Sequence, residues 1–194
     1  MSNPATRATM SSCRSAPDEV PRPDAGDPLV VHPGDRAWVV AHTRPRCEKK
    51  VEEYCRRNHW PVYLPLRRKV HRYGARVRAF LSPLFTGYVF CAVGRPGGST
   101  LRQNRHVANV LAVVDQAELV EQLRQIRHAL AAGEIVEVLP YLEKGRAVRV
   151  TAGPFKGLEG VVARVRGRAR VVINVDMIQQ AVSVEVDSSF LSPA

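Results

Sequence analysis

The pattern of apolar residues changes near residue 144, and this change restricts the chain to two small domains of different kinds. Before it, short strand-like runs alternate with segments in which apolar residues recur at helical spacing. After it, four short valine-rich runs follow one another, with glycines between them, at 147–150, 160–165, 170–175 and 181–186. Evenly spaced short strands without helices are typical of a small β-barrel. At 194 residues, the chain is long enough for both domains.

The segment 36–133 predicts an α+β sandwich in which helices cover a small, mainly antiparallel sheet. Its most apolar run, at 84–93, predicts a central strand, and the run at 37–42 predicts a second buried strand. Apolar residues at helical spacing predict helices over 47–58 and 116–132.

The remaining segments are predicted from their composition. Residues 1–35 are rich in Pro, Ser, Asp and Ala without periodicity, so we expect a disordered tail. The segment 134–143 is short and apolar, so we predict a linker that packs, followed by an all-β domain over 144–194. In the first helix we expect Thr43 to be the N-cap and the acidic residues, Glu48 among them, to face outward.

Composition argues against several classes of protein. No window approaches the run of about 18–20 apolar residues that a membrane span requires, and the N-terminal segment lacks the apolar core of a secretion signal. The four cysteines are irregularly spaced, so we expect reduced thiols in a cytoplasmic protein with no membrane partner. Hydrolase, P-loop, dinucleotide-binding and zinc-protease motifs are absent, so we expect a binding protein without enzyme activity or a cofactor. We also expect it to be a monomer.

A metal site is the remaining chemical alternative. Cys55 and His59 lie one helical turn apart and could share a metal ion if Cys91 or His42 joined them. Two ligands are too few on their own, so we predict no metal and interpret these side chains as ordinary core or half-buried groups.

Positive charge is concentrated in one part of the chain. The formal net charge is +11, and the stretch 54–114 contains eleven Lys and Arg residues but no Asp or Glu. Such a segment attracts polyanions, which favours nucleic-acid binding; the alternative is a solvated basic surface that serves solubility. The predicted nucleic-acid-binding residues are Arg44, Arg46, Lys49, Lys50, Arg67, Arg68, Lys69, His71, Arg72, Tyr73, Arg76, Arg78 and Arg105.

Many of these cations lie in a predicted β-hairpin at 67–81. Its second arm alternates cations with apolar residues, which indicates a strand with one charged face. Phosphate contacts would supply affinity, and His71 or Tyr73 could stack on an unpaired base. Alternatively, the hairpin is a solvated arm.

Two parts of the chain resemble one family of proteins. The N-terminal segment combines an opening Trp38-Val39-Val40 strand, a helix after Pro45, a basic hairpin and, at 83–90, the run PLFTGYVF. It resembles the N-terminal domain of the NusG/RfaH transcription elongation factors. The segments 145–150 and 153–162 are similar to the KOW barrel of the same family. The short junction between the two parts resembles that of specialised NusG paralogs, which act on particular long operons.

This resemblance implies an elongation and antitermination factor whose N-terminal domain docks on the clamp helices of RNA polymerase's largest subunit. The docking residues that it implies are His42, Phe85, Tyr88 and Phe90, although such an aromatic stripe also suits a protein core. The family commonly has proline where Thr86 stands, so a looser turn is expected there. The nucleic acid would then be non-template or upstream DNA, or nascent RNA.

The resemblance also implies a further partner for the KOW domain, such as Rho, a ribosomal protein or RNA. The predicted partner surface consists of Phe155, Lys156, Arg164, Arg166, Arg168 and Arg170. KOW barrels also occur in ribosomal proteins, so a ribosome- or RNA-associated binding module is the alternative function. That alternative accounts for the C-terminal domain and the charge but not for the segment 37–114.

Overall fold

The protein consists of an N-terminal α/β domain and a C-terminal β-domain. The computed structural model describes residues 29, 36–73, 76–132, 136–142, 145–165 and 168–194. The N-terminal elements are β1 (Arg36–Thr43), α1 (Glu48–Arg57), β2 (Val62–Tyr63), β3 (Leu66–Tyr73), β4 (Arg76–Pro83), β5 (Tyr88–Gly94), α2 (Arg95–Arg102), β6 (Val107–Ala112) and α3 (Gln116–Ala131). The C-terminal strands are β7 (Val136–Pro140), β8 (Arg146–Val150), β9 (Glu159–Val165), β10 (Arg168–Val175), β11 (Gln180–Glu185) and β12 (Leu191–Pro193). Within the described residues, no helix has the length and apolar character needed to cross a membrane.

β1 lies inside the first sheet, whose strand order is β2-β5-β1-β6, and pairs antiparallel with both neighbours. Side chains alternate along a strand, so one face presents Trp38, Val40 and Phe90, which share an apolar cluster with α3. The other face presents Ala41 and Val89, which cluster with buried residues of α1 and α2. The sheet is therefore covered by helices on both sides, and the predicted fold class is confirmed.

The side chain of Gln116 ties the start of α3 to β1. Its Oε1 accepts a hydrogen bond from the backbone N–H of Trp38 (2.6 Å), and its Nε2 donates to the carbonyl oxygen of Trp38 (3.0 Å). β6 pairs with β1 from Val39 onward, so the Gln116 amide replaces a strand partner at Trp38. Asp115 caps α3 by accepting a hydrogen bond from the backbone N–H of Glu118 (2.8 Å).

The C-terminal domain is a six-stranded antiparallel sheet in the order β12-β8-β9-β10-β11-β7. Strands β8 to β11 coincide with the four predicted valine-rich runs. β7 pairs with β11 over Val136–Pro140, so this part of the predicted linker is an edge strand of the β-domain. The connection between the domains therefore packs, because its backbone completes the sheet.

The β-domain is docked on α3. Buried residues of this helix, such as Leu123, share one apolar cluster with the core of the β-domain. Gln122 forms two hydrogen bonds across the contact: Nε2 donates to the carboxylate of Asp176, and Oε1 accepts from the backbone N–H of Asp176 (3.3 Å). Gln125 Oε1 accepts a third from the backbone N–H of Glu159 (3.2 Å).

Three local predictions are wrong because contacts distant in sequence decide the local structure. Leu29 belongs to the predicted disordered tail but is fully buried, and its carbonyl accepts a hydrogen bond from Arg124 (3.3 Å); the rest of that tail lies outside the described residues. α1 has no side-chain cap, so Thr43 is not its N-cap. Glu48 is buried instead of facing outward.

We predict that the contact between the domains weakens as pH rises through the pKa of Glu118. The side-chain hydrogen bond with Asp176, followed by desolvation and the charges of Asp176 and Asp115, raises this pKa above its ordinary value of 4.5. The contribution to stability is complete below the ordinary pKa. It is lost as pH rises through the raised pKa, because two carboxylates then face each other. Glu118→Gln should flatten the pH dependence of the free energy of unfolding in the range that begins at the ordinary pKa of 4.5 and extends above it, measured by urea titration.

Glu121→Gln is the matched control for this experiment. Glu121 lies on the same helix, is exposed, and pairs with Arg124 (3.7 Å) of its own helix. A pH profile of Glu118→Gln that coincides with those of the wild type and the control would contradict the prediction.

Candidate functional site

Two rings meet where the end of β1 pairs with the beginning of β5. His42 and Tyr88 are directly opposite each other in the strand register. Their rings stack with 5.1 Å between centroids and an interplanar angle of 22°. His42 is exposed and Tyr88 is half-buried. We call this pair, which contains two of the four predicted docking residues, the aromatic patch.

A buried carboxylate holds the turn next to the aromatic patch. Glu48, the first residue of α1, is 4% exposed, and its Oε1 accepts a hydrogen bond from the backbone N–H of Gly87 (2.7 Å). The carbonyl of Gly87 accepts another from the backbone N–H of Thr43 (2.8 Å). Gly87 has a φ of +87°, which glycine adopts without strain. The N-terminus of α1 favours the negative charge of Glu48. These bonds hold the turn although Thr86 stands where the family commonly has proline.

The other two predicted docking residues, Phe85 and Phe90, do not reach the surface. Phe85 is 1% exposed and Phe90 is fully buried, and their rings meet edge to face with 6.2 Å between centroids. The central strand begins at Tyr88 instead of residue 84, so Phe85 lies in the preceding turn. Both rings belong to the cluster that includes α3. Phe85 and Phe90 therefore do not contact a partner directly. They pack in the core beneath the surface.

A basic cleft of about 710 Å³ lies between α1 and the turn that leads into β6. It is lined by Lys50, Glu53, Tyr54, Arg57, Thr100, Gln103, Asn104, Arg105 and His106. Asn104 Oδ1 accepts a hydrogen bond from the backbone N–H of His106 (2.9 Å) and so orders the turn. Desolvation, followed by the charges of Arg105 and Lys50, lowers the pKa of His106. The imidazole is therefore neutral at neutral pH. Glu53 forms an ion pair with Arg57, so the uncompensated positive charge of the lining comes from Lys50 and Arg105.

The cleft brings together two predicted nucleic-acid-binding residues, Lys50 and Arg105, with two that were not predicted, Arg57 and His106. Arg57 lies two helical turns after Lys50, on the same face of α1. This spacing in the sequence could have predicted Arg57 as a residue on the same surface as Lys50. Arg44 lies beside the cleft, because its backbone N–H donates to the carbonyl oxygen of His106 (2.9 Å).

Arg46 and Lys49 are exposed on the loop before α1 and on its first turn, outside the lining of the cleft. Arg46 has a φ of +61°, a left-handed conformation that is uncommon for a residue with a side chain.

β3 and β4 form a separate two-stranded hairpin with two different faces. The register places Lys69 opposite Phe80 and His71 opposite Arg78, and side chains opposite each other share a face. We call the face formed by Arg67, Lys69, His71, Arg78 and Phe80 the basic face. The rings of His71 and Phe80 stack on it with 5.2 Å between centroids.

Arg68 and Arg72 lie on the opposite face of the hairpin, with the exposed side chain of Val70 between them. The predicted hairpin cations therefore do not form a single surface. Successive side chains of each strand point to opposite faces, so the cations are divided between the two faces of the hairpin. Tyr73 and Arg76 pair at the tip through their backbones, and their side chains lie outside the described part of the chain.

The predicted partner surface of the C-terminal domain needs two corrections. Phe155 is 3% exposed and part of the core, so it is not a surface residue. Arg170 is half-buried and forms an ion pair with Glu137 of β7, so its charge is compensated. Lys156 is exposed as predicted. Arg166 and the side chains of Arg164 and Arg168 lie outside the described residues.

The thiols of Cys55 and Cys91 lie together in the cluster between α1 and β5. The side-chain hydrogen bond with Cys55, followed by burial, raises the pKa of the Cys91 thiol well above its ordinary value. The Cys91 thiol is therefore protonated at neutral pH. In the described part of the chain, no three His, Cys, Asp or Glu side chains converge as metal ligands.

The described residues form two domains, with an aromatic patch beside a basic cleft in the first and the second packed on α3. A family model described as transcription termination factor nusG matches residues 36–138, and a KOW motif model matches residues 144–174. The chain therefore belongs to the NusG family. Members of this family are transcription factors with general roles in elongation and termination and are not enzymes; they typically bind RNA polymerase and nucleic acid.

Solved structures also match the chain. One described as domain interaction in Thermotoga maritima NusG is 20% identical, covers 81% of this chain and 97% of that chain, and has a TM-score of 0.47. No curated protein matches. The family assignment is therefore based on the two family models.

We predict that Glu48→Ala destabilises the protein by about 1–3 kcal/mol, because the buried N–H of Gly87 loses its acceptor. Glu48→Gln keeps an oxygen at this position and should lose less. The measurement is the free energy of unfolding from urea titration. The control is Glu53→Ala on the exposed side of α1, where the ion pair with Arg57 at i+4 contributes only about 0.3–0.5 kcal/mol. Equal losses for Glu48→Ala and Glu53→Ala would refute the role of the buried carboxylate.

Proposed function

We propose that this protein is a transcription elongation and antitermination factor that binds the clamp helices of RNA polymerase through the aromatic patch. The observation that supports this proposal is the stacked pair of His42 and Tyr88. Their rings are partly exposed to solvent at the end of a sheet whose two faces are covered by helices. Aromatic side chains in a rigid, partly exposed setting are typical anchors for a partner helix. The bond from Gly87 to Glu48 fixes this surface before binding, which lowers the cost of ordering it.

The proposed mechanism requires no chemistry from this chain. The N-terminal domain bridges the polymerase cleft and keeps the clamp closed, which disfavours pausing and termination. It achieves this by binding the closed polymerase more tightly than the open one, and the shift cannot exceed this difference in affinity. Catalysis stays with the polymerase, and this protein acts as a monomeric binding factor in the cytoplasm.

The basic cleft supports a second contact, with non-template or upstream DNA or with nascent RNA. Cleft and patch are adjacent in the chain, because Arg44 follows His42 by two residues and bonds to His106 through its backbone. A protein seated on the polymerase through the patch would therefore present Lys50 and Arg105 to nucleic acid beside the same site, whereas the charge of Arg57 is compensated by Glu53. Phosphate contacts of this kind supply affinity that depends on salt.

The C-terminal domain is proposed to recruit a further partner, such as Rho or a ribosomal protein, with Lys156 on the recruiting surface. The short connection also suits a specialised paralog that acts on particular operons. A role as a ribosome- or RNA-associated module is less well supported: it would use the basic cleft, but it leaves the aromatic patch without a function.

The aromatic patch is tested by the affinity of the full chain for purified RNA polymerase. We expect His42→Ala and Tyr88→Ala each to weaken binding about tenfold or more, as for anchor residues in other interfaces. His42 is exposed, so its replacement leaves the fold unchanged. Val114→Ala is the control, because Val114 is an apolar residue that is 96% exposed far along the chain from the patch. Unchanged affinity in both patch variants would reject the proposed dock.

The basic cleft is tested by the salt dependence of nucleic-acid binding. The double variant Lys50→Gln/Arg105→Gln removes two phosphate contacts, so the slope of log K against log salt should fall by about 2. The double variant Arg95→Gln/Arg102→Gln changes the net charge equally but alters exposed residues of α2 outside the cleft lining. Identical slopes for the two double variants would show that the cleft has no specific role.

A further inference from the structure

We propose that the rings of His71 and Phe80 form a stacking platform for an unpaired base, so that the hairpin binds single-stranded nucleic acid in preference to duplex. The inference is built on the proposed nucleic-acid contact and specifies its substrate class. Sequence patterns suggested His71 or Tyr73 as the stacking residue and missed Phe80, whose partner becomes evident only when the two arms pair.

The two rings are arranged as a platform. They come from different strands and stack at 5.2 Å between centroids with an interplanar angle of 29°. Phe80 is 41% exposed and His71 is exposed, so ring surface faces solvent. The platform is fixed by cross-strand pairing, in which Lys69 faces Phe80 and Arg78 faces His71. An exposed phenylalanine gains free energy when a flat, apolar group covers it.

Cations surround the platform on the same face. Lys69 and Arg78 lie directly across from the rings, and Arg67 lies two residues before Lys69 on its strand. Successive side chains on one face of a strand are about 7 Å apart. Aromatic rings between regularly spaced cations are the combination by which sequence-tolerant proteins bind single strands: the rings stack on bases and the cations contact the backbone.

A duplex cannot use the platform in this way. Its bases are already stacked on one another, so their flat faces are closed to a protein ring unless the helix is opened. The cations alone attract single strands and duplexes alike. The preference for single strands must therefore come from His71 and Phe80, whereas the overall affinity of the hairpin comes from its cations.

The experiment measures the affinity of the full chain for fluorescein-labelled oligo(dT) and for a DNA duplex of equal length at one fixed salt concentration. Phe80→Leu keeps an apolar side chain but removes the ring. It should weaken binding of oligo(dT) about 5- to 150-fold, the value of stacking one base, and leave duplex binding within about twofold. Phe80→Trp should restore oligo(dT) binding, and its added indole fluorescence should be quenched by the oligonucleotide. Val77→Ala, an exposed apolar residue on the opposite face of the hairpin, is the control.

The double variant Lys69→Gln/Arg78→Gln separates this inference from the proposed function. Loss of binding to both DNAs in this variant, with Phe80→Leu indistinguishable from the wild type, would overturn the stacking platform and keep the nucleic-acid contact. Equal losses of oligo(dT) and duplex binding in Phe80→Leu would overturn the single-strand preference. If neither the charge variant nor Phe80→Leu changes binding to either DNA, the hairpin is not a nucleic-acid interface and the inference fails with it.

Discussion

The helix α3 supplies apolar surface to both domains, and the arrangement of the binding surfaces depends on this packing. Its buried residues cluster with Trp38 and Phe90 of the N-terminal sheet and with the core of the β-domain. Gln116 at the start of the helix is hydrogen-bonded to β1, and Gln122 in its middle is hydrogen-bonded to the β-domain. At the end of this sheet face, the ring of His42 is exposed and that of Tyr88 is half-buried. The same packing that stabilises the domain therefore determines where an aromatic surface is available.

The surfaces proposed for recognition differ in chemistry and lie close together along the chain. The aromatic patch suits an apolar protein partner, whereas the basic cleft and the basic face of the hairpin suit phosphates. The segment from His42 to Arg44 links the first two, because Arg44 is bonded to the turn that carries His106. The hairpin carries further positive charge on a separate two-stranded sheet. These short connections support the proposal that the protein binds a protein partner and nucleic acid simultaneously.

The sequence allowed prediction of the elements and of the charge but not of the contacts that join them. Periodicity predicted the strands of both domains and α3, because alternation and helical spacing are local properties. It placed Glu48 outside, because its acceptor role depends on Gly87, which is 39 residues away in the chain. The family resemblance presented Phe85 and Phe90 as docking residues and Phe155 as part of a partner surface. All three are buried, since a motif identifies ring types but does not show what covers them. Phe80 was not predicted as a stacking residue, because its ring partner His71 lies on the other strand of the hairpin.

The shared cluster around α3 also has a thermodynamic consequence. In many two-domain proteins each domain melts by itself, because few contacts cross the boundary. Here, loss of the β-domain would expose the flank of α3 that it covers, together with the side chain of Gln122, and would remove stability from the N-terminal sheet through that helix. Heat or denaturant should therefore disrupt the two domains in one cooperative transition, and a substitution deep in one of them should lower the melting temperature of the other.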